Sequence, residues 1–474
     1  MGMPYSEGEP VTATDIGRDE SKANGAAAVL AATGVAVNEH APVGSAITTV
    51  GSSKGSPTLV PVSRYISPEF AQLELQKVWP RTWQIACSVD HVAEPGDYFE
   101  YRCGPYSVLI VHGDDGELRA FQNVCRHRGN QLCQGMGNGL TELRCGYHNW
   151  TWDLKGKLRE VPSRKGFGVL RNDDFPLLAA QVDTWGRIVF VNLDLGAMPL
   201  MEYLEGVPDD IAWIGFDDYR CGAAVTVPVE ANWKVVADGF SETYHVQGLH
   251  REMIASMDDI DAPQQVWGHT SKSSQPYGVA SPRFRKGLDD QTVWESFIVT
   301  QGGRMGVEEV CPMPDLEPGQ TLQDVIADGI KRVQAERGAD RSRFTTDQML
   351  RLHQYNLFPN ATVLVTPDLL SIICARPGKT PDECDMVMMN FKPCAPGAPR
   401  TQPFDVTVPP GQADFGYVIN ADVDVAPRIQ RGLHQPGMTH MALSSEECRV
   451  INTQRNLERY LGIEPSELTG GPER

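Results

Sequence analysis

The feature that most restricts the fold of this chain is a pair of short loops that each carry one cysteine and one histidine. Cys125 and His127 are separated by one residue, and Cys145 and His148 follow seventeen residues later, separated by two. Two thiolates and two imidazoles suit either a tetrahedral zinc ion or a [2Fe–2S] cluster whose irons are held by cysteines and by histidines. A fold that uses this set must bring both loops to one point.

The order of the ligands and their surroundings favour the cluster over zinc. A zinc finger usually pairs Cys with Cys and His with His, and a helix carries its histidines. Here each loop supplies one ligand of each kind. The flanking segments alternate β-branched and aromatic residues with Gly/Asp turns, which predicts a small all-β unit around both loops.

The rest of the chain divides by composition. Residues 1–60 are rich in Ala, Gly, Ser and Thr and hold one aromatic residue, so we expect a largely disordered arm, with a short docked strand or helix around 26–37 as the alternative. Residues 61–82 predict a helix begun by Ser67-Pro68 that packs on the larger unit. We place the all-β unit at 83–195 and a mixed helix and strand unit at 196–474, in which the five prolines of 395–412 predict an irregular surface excursion.

Charge and hydropathy exclude several classes of protein. The formal net charge is −19, which argues against nucleic acid or an anionic membrane surface as the main partner. No apolar run is long enough to span a bilayer, and the N-terminal residues lack the features of a secretory signal. We therefore expect a cytoplasmic protein.

A second group of metal-ligand types lies between residues 231 and 250, in ANWKVVADGFSETYHVQGLH. Asp238, Glu242 and His245 are spaced to share one face of a continuous helix. His245 and His250 are five residues apart, about 140° around a regular helix, so both face one metal only if the helix loosens, which Gly248 allows. Two imidazoles and one carboxylate form the facial triad of non-haem Fe(II) oxygenases.

With both groups in view, the chain resembles the large (α) subunit of Rieske non-haem iron oxygenases, the ring-hydroxylating dioxygenases and their monooxygenase relatives. The resemblance covers residues 62–465 and is carried by CRHRGNQLCQGMGNG, LRCGYHNWTWDLKGKL and the 231–250 segment. One departure is Asn149, where the family commonly has Gly. Because Asn tolerates a left-handed backbone better than most residues, we expect no strain there.

The resemblance implies an α+β fold: a small all-β Rieske domain and a catalytic domain with an antiparallel sheet gripped by helices, as in START-like folds. It implies a Rieske [2Fe–2S] cluster held by Cys125, His127, Cys145 and His148, and a mononuclear Fe(II). Electrons come from NADH or NADPH through a separate reductase, with or without a ferredoxin. It also implies a homotrimer or a multiple of it, with or without a small β subunit.

For the mononuclear iron the resemblance implies His245 and His250 as ligands. It makes Glu242 the acid that links this site to a Rieske histidine of the neighbouring subunit, and Asp238 belongs to the same catalytic motif. The third ligand is a downstream carboxylate. Asp422 stands eight residues before Gln430, the relatives' usual spacing, and Asp424 is its competitor.

The main functional interpretation is a terminal oxygenase that uses O2 to hydroxylate an organic substrate, aromatic or polycyclic. The alternative is a Rieske monooxygenase or demethylase of a quaternary amine or methyl ether. A Rieske electron carrier and a zinc hydrolase with the same ligands are further candidates. Candidate pocket residues from the stretches around 251–310 and 350–392 are Met253, Met257, Trp267, Trp294, Phe297, Phe358 and Leu369.

Overall fold

The computed structural model describes residues 47–48, 57–400 and 402–464. Its strands, in chain order, are β1 Ile47–Thr48, β2 Thr58–Pro61, β3 Gln84–Ser88, β4 Tyr98–Cys103, β5 Tyr106–His112, β6 Leu118–Gln122, β7 Met136–Gly137, β8 Leu143–Arg144, β9 Thr151–Trp152, β10 Leu158–Glu160, β11 Ala179–Trp185, β12 Ile188–Asn192, β13 Tyr219–Val229, β14 Gln264–Val266, β15 Thr270–Pro276, β16 Arg351–Leu357, β17 Ala361–Thr366, β18 Leu369–Pro377, β19 Cys384–Pro393, β20 Phe404–Thr407 and β21 His440–Leu443.

The α-helices are α1 Ser63–Ile66, α2 Pro68–Lys77, α3 Leu200–Tyr203, α4 Val207–Asp210, α5 Trp233–Gly239, α6 Val246–Leu249, α7 Asp290–Gln301, α8 Leu322–Glu336, α9 Thr346–Leu350, α10 Tyr417–Leu433 and α11 Cys448–Leu461. Helix α2 begins where the sequence predicts it. Ser67 caps its first turn by accepting a hydrogen bond from the Phe70 N–H at 3.1 Å, and Pro68 occupies the first helical position. In the described residues no helix combines the length and the apolar character needed to cross a bilayer.

Two sheets hold the all-β part of the chain. A seven-stranded sheet has the order β3-β12-β11-β6-β5-β4-β7, and a three-stranded sheet has the order β10-β9-β8. Tight turns at Gly116 and Gly156, both at positive φ, close two of the hairpins. The core between them includes Trp150, Trp152 and the two cysteines of the paired loops. The short strands β8 and β9 thus present the second loop next to the first.

The larger sheet has nine strands in the order β1-β14-β15-β16-β17-β18-β19-β13-β20. Neighbours from β14 to β13 run antiparallel, whereas the edge strands β1 and β20 are parallel to their partners. Helices α5, α10 and α11 pack against this sheet. The predicted α+β class, with an all-β unit and a helix-gripped antiparallel sheet, is confirmed.

Two segments that were expected to be irregular contain short strands. Residues 395–412 were expected to be irregular, but Phe404–Thr407 forms edge strand β20, because its backbone pairs with β13. In the arm at 1–60, expected to be largely disordered, Thr58–Pro61 pairs with His440–Leu443, and Ile47–Thr48 pairs with Gln264–Gln265. The rest of that arm lies outside the described residues, and the domain boundaries stay a prediction.

A buried ion pair attaches the N-terminal helix to helix α5. Lys234 Nζ lies 2.7 Å from Glu74 Oε1, and the two residues are 0% and 1% exposed. Burial raises the pKa of Glu74 and lowers that of Lys234, so each charge depends on the other in this apolar setting. Trp233 Nε1 donates a second hydrogen bond to Glu74, at 3.2 Å. The pair therefore fixes the start of the helix that leads into the 240–250 segment.

We predict that Glu74→Gln lowers the thermal unfolding temperature, because Lys234 would be left buried without a counter-charge, at a cost of about 3–5 kcal/mol. The control is Asp347→Asn, which removes an ion pair with Arg351 from a side chain that is 65% exposed. Its effect should stay within about 0.5 kcal/mol. Differential scanning calorimetry of both variants makes the comparison, and equal shifts would contradict the role of the buried pair.

Candidate metal centres

The first cysteine–histidine loop is closed by two backbone hydrogen bonds. The Cys125 N–H donates to the carbonyl of Asn130 at 2.7 Å, and the Gly129 N–H donates back to the carbonyl of Cys125 at 3.0 Å. Gly129 has φ of 77°, a conformation that glycine adopts at no steric cost. The loop therefore turns within six residues and presents the side chains of Cys125 and His127 on one side.

The second loop repeats this geometry. The Cys145 N–H donates to the carbonyl of Trp150, and the Asn149 N–H donates to the carbonyl of Cys145, both at 2.9 Å. Asn149 takes the left-handed position with φ of 58°, as its tolerance for this region predicts. The two loops are thus the same turn built twice, once with Gly and once with Asn at the left-handed position.

The structure brings the four predicted ligands together. The rings of His127 and His148 lie 4.7 Å apart, and Trp150 stacks on His127 at 5.2 Å. Both cysteines are buried. The Nδ1 atoms of both histidines are buried and have no hydrogen-bond partner among the described residues. Two unpartnered imidazole nitrogens beside two buried thiols fit a [2Fe–2S] cluster with mixed ligands.

Hydrogen bonds favour the thiolate form of Cys145. Burial opposes ionisation, but hydrogen bonds from the Tyr147 and His148 N–H groups, the Cys125 thiol and the Asn130 side chain outweigh it, so the pKa of the Cys145 thiol is lowered. The Asn130 amide lies 3.7 Å from Cys145 Sγ. Because a thiolate is the metal-binding form of cysteine, this environment suits a ligand.

The second group of ligand types is positioned by a break in the chain after helix α5. That helix ends at Gly239, and the carbonyl of Phe240 accepts hydrogen bonds from three side chains of the large sheet. The donors are Gln354 Nε2 at 2.6 Å, Asn356 Nδ2 at 2.8 Å and Thr362 Oγ1 at 3.3 Å. Three donors on one carbonyl fix the bend from which residues 241–250 emerge.

His245, His250 and Asp422 meet beyond this bend. Their ligand atoms all lie within 4.8 Å of one another. Asp422 Oδ1 is 2.8 Å from His250 Nε2 and 3.6 Å from His245 Nε2. His245 Nδ1 lies 2.5 Å from Glu242 Oε1. Burial alone would lower the pKa of His245, but the Glu242 carboxylate outweighs it and raises that pKa. Two imidazole nitrogens and one carboxylate that converge in this way fit a mononuclear Fe(II).

The expected single helical face does not exist. Asp238, Glu242 and His245 were expected on one continuous helix with a loosening at Gly248, but the break precedes His245, and Gly248 lies inside the short helix α6. Asp238 therefore points elsewhere, and its Oδ2 accepts a hydrogen bond from the Tyr65 hydroxyl at 2.5 Å. Asp238 is absent from the group of metal-ligand types.

Helix α10 places Asp422 and Asp424 differently. Both residues lie in Tyr417–Leu433, and two residues correspond to about 200° around a helix, so they face nearly opposite directions. Asp422 faces the two histidines. The sequence analysis kept both carboxylates as candidates for the third ligand because it did not predict this helix.

A cavity of about 450 Å³ opens beside His245, His250 and Asp422. Met253, Met257 and Leu369 line it as expected, whereas Trp267, Trp294, Phe297 and Phe358 do not. The sequence analysis did not identify the polar residues of the cavity floor, because they come from four different strands, with one residue each on β15, β16, β18 and β19. They are Gln275, Gln354, Ser371 and Asn390.

A second, smaller cavity of about 300 Å³ lies on another side of the same residues. Glu242, His245 and Asp422 border both cavities. The other walls of the smaller one are mostly apolar and include Leu249, Val423 and Ile429. Gly239 and Phe240 also line both cavities, and these five shared residues separate two spaces of different character.

Family models match both parts of the chain. One described as the ring hydroxylating alpha subunit (catalytic domain) matches residues 216–463, and one described as the Rieske [2Fe-2S] domain matches residues 82–178. Similar curated proteins include the glycine betaine monooxygenase oxygenase subunit of Chromohalobacter salexigens, 30% identical over 213 residues (43% of this chain, 46% of that protein). The benzene 1,2-dioxygenase subunit alpha of Pseudomonas putida is 31% identical over 188 residues (38% and 42%). These matches span about half the length of the curated relatives.

Solved structures share the fold over most of the chain. The quaternary ammonium Rieske monooxygenase CntA in complex with L-carnitine has a TM-score of 0.60 at 18% identity, covering 85% of this chain and 96% of that one. Naphthalene 1,2-dioxygenase from Rhodococcus sp. bound to indole has a TM-score of 0.59 at 19% identity, covering 86% and 95%. The family matches, together with the two groups of ligand types, lead to one conclusion: the chain belongs to the Rieske oxygenase family, among the ring-hydroxylating α subunits and their monooxygenase relatives.

Proposed function

We propose that this protein is the terminal oxygenase component of a Rieske oxygenase system. The observation that carries the proposal is the convergence of His245, His250 and Asp422 on one point at the wall of a 450 Å³ cavity. A pure electron carrier needs no such group and no such cavity. The Rieske quartet in the same chain supplies the site for the electron store that an oxygenase requires.

The chain's own residues divide the work between two sites. Cys125, His127, Cys145 and His148 would hold the cluster, and His245, His250 and Asp422 would hold the mononuclear iron. These groups, when bound, supply stored electrons and O2 activation. Glu242 accepts the Nδ1–H of His245 and so fixes which nitrogen is free to bind a metal. The apolar side chains that line the cavity limit water at the reacting carbon.

The assembly we propose is a ring of subunits in which the quartet of one chain faces Glu242 of the next. Inter-subunit electron transfer is described for CntA. In this chain Tyr147 and Phe167 are exposed beside the quartet, and Tyr244 and Ile429 are exposed beside His245 and the smaller cavity. Two apolar surfaces of this kind would be covered by head-to-tail association. A reductase, with or without a ferredoxin, would supply the electrons.

For the substrate we favour a small quaternary amine over the aromatic or polycyclic compound that was the main interpretation of the sequence. Relatives named for glycine betaine and carnitine support this choice. The cavity also favours it, because its floor carries the polar side chains Gln275, Gln354 and Asn390, whose remaining polar atoms a polycyclic hydrocarbon cannot hydrogen-bond. Aromatic rings at Phe240, Tyr277 and Tyr417 can face an ammonium group. Aromatic hydroxylation stays the second candidate, since the benzene dioxygenase subunit is about as similar.

We predict that the purified protein is red-brown, contains about three irons per chain and gives a Rieske-type EPR signal when reduced. With an artificial reductant and a quaternary amine, O2 uptake should depend on substrate and yield a hydroxylated or demethylated product. Protein with about two irons and no substrate-dependent uptake would indicate an electron carrier. A colourless zinc protein would exclude both.

The ligand assignment predicts different results for two neighbouring acids. Asp422→Asn should lower the iron content by about one per chain and leave the EPR signal of the cluster unchanged, because the carboxylate that faces both histidines is lost. Asp424→Asn, the matched control two residues away, should keep the full iron content. Iron analysis of the two variants makes the comparison. Loss of iron from the Asp424 variant alone would reverse the assignment.

A further inference from the structure

The large sheet forms the floor of the large cavity. The rows of paired residues across strands β16 to β19 show which residues lie near each end of the cavity. In the first row Asn356 pairs with Thr362, and both donate to the Phe240 carbonyl next to the metal-ligand group. Two residues further along, Gln354 pairs with Leu364, and Leu364 pairs with Ser371. These rows run from the metal-ligand end towards the opposite end of the cavity.

The third row carries cationic side chains. Thr366 pairs with Leu369, and Leu370 pairs with Phe391, so Lys392 comes to the level of Leu369. Thr366 Oγ1 accepts a hydrogen bond from Arg304 at 3.4 Å. Four residues separate Thr362 from Thr366 along β17, about 13 Å of extended chain. Arg304 and Lys392 therefore lie at the end of the cavity away from the bend at Phe240, and both line it.

Two of the three guanidinium nitrogens of Arg304 are held by hydrogen bonds, and the third, Nη1, remains available. Its Nε and Nη2 lie 2.9 Å and 2.7 Å from the two oxygens of Asp368, and Nη2 also donates to the carbonyl of Met349 at 2.7 Å. The side chain is 10% exposed. Within the described ranges Nη1 donates no hydrogen bond, and this atom is not fully buried. A planar guanidinium fixed in this way offers its remaining N–H groups to an oxygen ligand.

Lys392 adds a positive charge that no described residue balances. It is exposed at the rim of the cavity and takes part in no ion pair within the described chain. The carboxylates that line the cavity are Glu242 and Asp422, and both are engaged with His245 or His250 at the opposite end. At the far end Asp368 balances the charge of Arg304, which leaves the charge of Lys392 and the Nη1 donor of Arg304 for a ligand.

We propose that this end of the cavity, formed by Arg304 Nη1 and Lys392 Nζ, binds a carboxylate of the substrate while the reacting carbon lies at the His245, His250 and Asp422 end. The inference rests on the proposed function and deepens it by naming the substrate class: a short organic acid, including a zwitterion with a quaternary ammonium group. Gln354 and Asn390 lie between the two ends and offer hydrogen bonds to the linking chain. A neutral amine or hydrocarbon would leave Lys392 without a counter-charge and Arg304 Nη1 without an acceptor.

The test compares acids with their neutral amides by isothermal titration calorimetry, which needs no turnover. The two pairs are γ-butyrobetaine with its carboxamide, and phenylacetate with phenylacetamide, each titrated into protein of verified iron content. At least one acid should bind about tenfold or more tightly than its amide, as expected for a charge-assisted hydrogen bond. Equal affinities within both pairs, or no binding by any of the four compounds, would overturn the proposal.

Variants assign the effect to the cationic end. Lys392→Gln should weaken acid binding about tenfold and leave amide binding unchanged, whereas Lys392→Arg should retain it. Arg304→Lys keeps a partner for Asp368 and removes the Nη1 donor, so it should also weaken the acid selectively. Lys379→Gln, an exposed lysine that does not line the cavity, is the matched control. A parallel loss of acid and amide binding in the Lys392→Gln and Arg304→Lys variants would contradict the assignment.

The outcomes separate the two proposals. Selective acid binding without substrate-dependent O2 uptake would leave the carboxylate site intact and refute the oxygenase function. O2 uptake with amides and acids alike, at equal affinity, would leave the oxygenase function intact and refute the carboxylate site.

Discussion

The carbonyl of Phe240 is the point on which the catalytic part of this chain depends. Three side chains from two strands of the large sheet donate to it, so the end of helix α5 is fixed to the sheet rather than to its own next turn. Because the chain leaves helix α5 here, residues 241–250 can run to Asp422 of helix α10, where both histidines meet it. The two histidines flank the single turn of helix α6, and His250 has left the helical conformation with φ of −119°, so the separation of about 140° in a regular helix does not apply to them. The same sheet face that holds this bend continues as the floor of the cavity.

The sheet thus supports the metal-ligand group and also sets the distance between that group and the opposite end of the cavity. One end of its exposed face meets the metal-ligand group, and the other end meets Arg304 and Lys392, with amide and hydroxyl groups between them. The polar rows are the basis of the proposal that a polar substrate binds in this cavity. Glu242 borders both this cavity and the smaller apolar one, a position that fits the proposed junction between neighbouring subunits.

The local features of this chain could be predicted from sequence, and the features made by distant segments could not. The paired loops were readable because each places one thiol and one imidazole within four residues, and Asn149 was readable because its left-handed backbone is a local property. The break before His245 was not readable, because its cause lies more than a hundred residues away in Gln354 and Asn356. The position of Asp238 was predicted wrongly for the same reason, because its carboxylate accepts a hydrogen bond from Tyr65 in the distant N-terminal segment.

We expect that the segment after the bend at Phe240 builds a mononuclear iron site separate from the Rieske quartet. Anomalous diffraction at the iron absorption edge tests it most directly. The prediction is a two-iron peak among Cys125, His127, Cys145 and His148 and a single-iron peak among His245, His250 and Asp422. An iron-loaded quartet with no metal, or with zinc alone, among His245, His250 and Asp422 would contradict it.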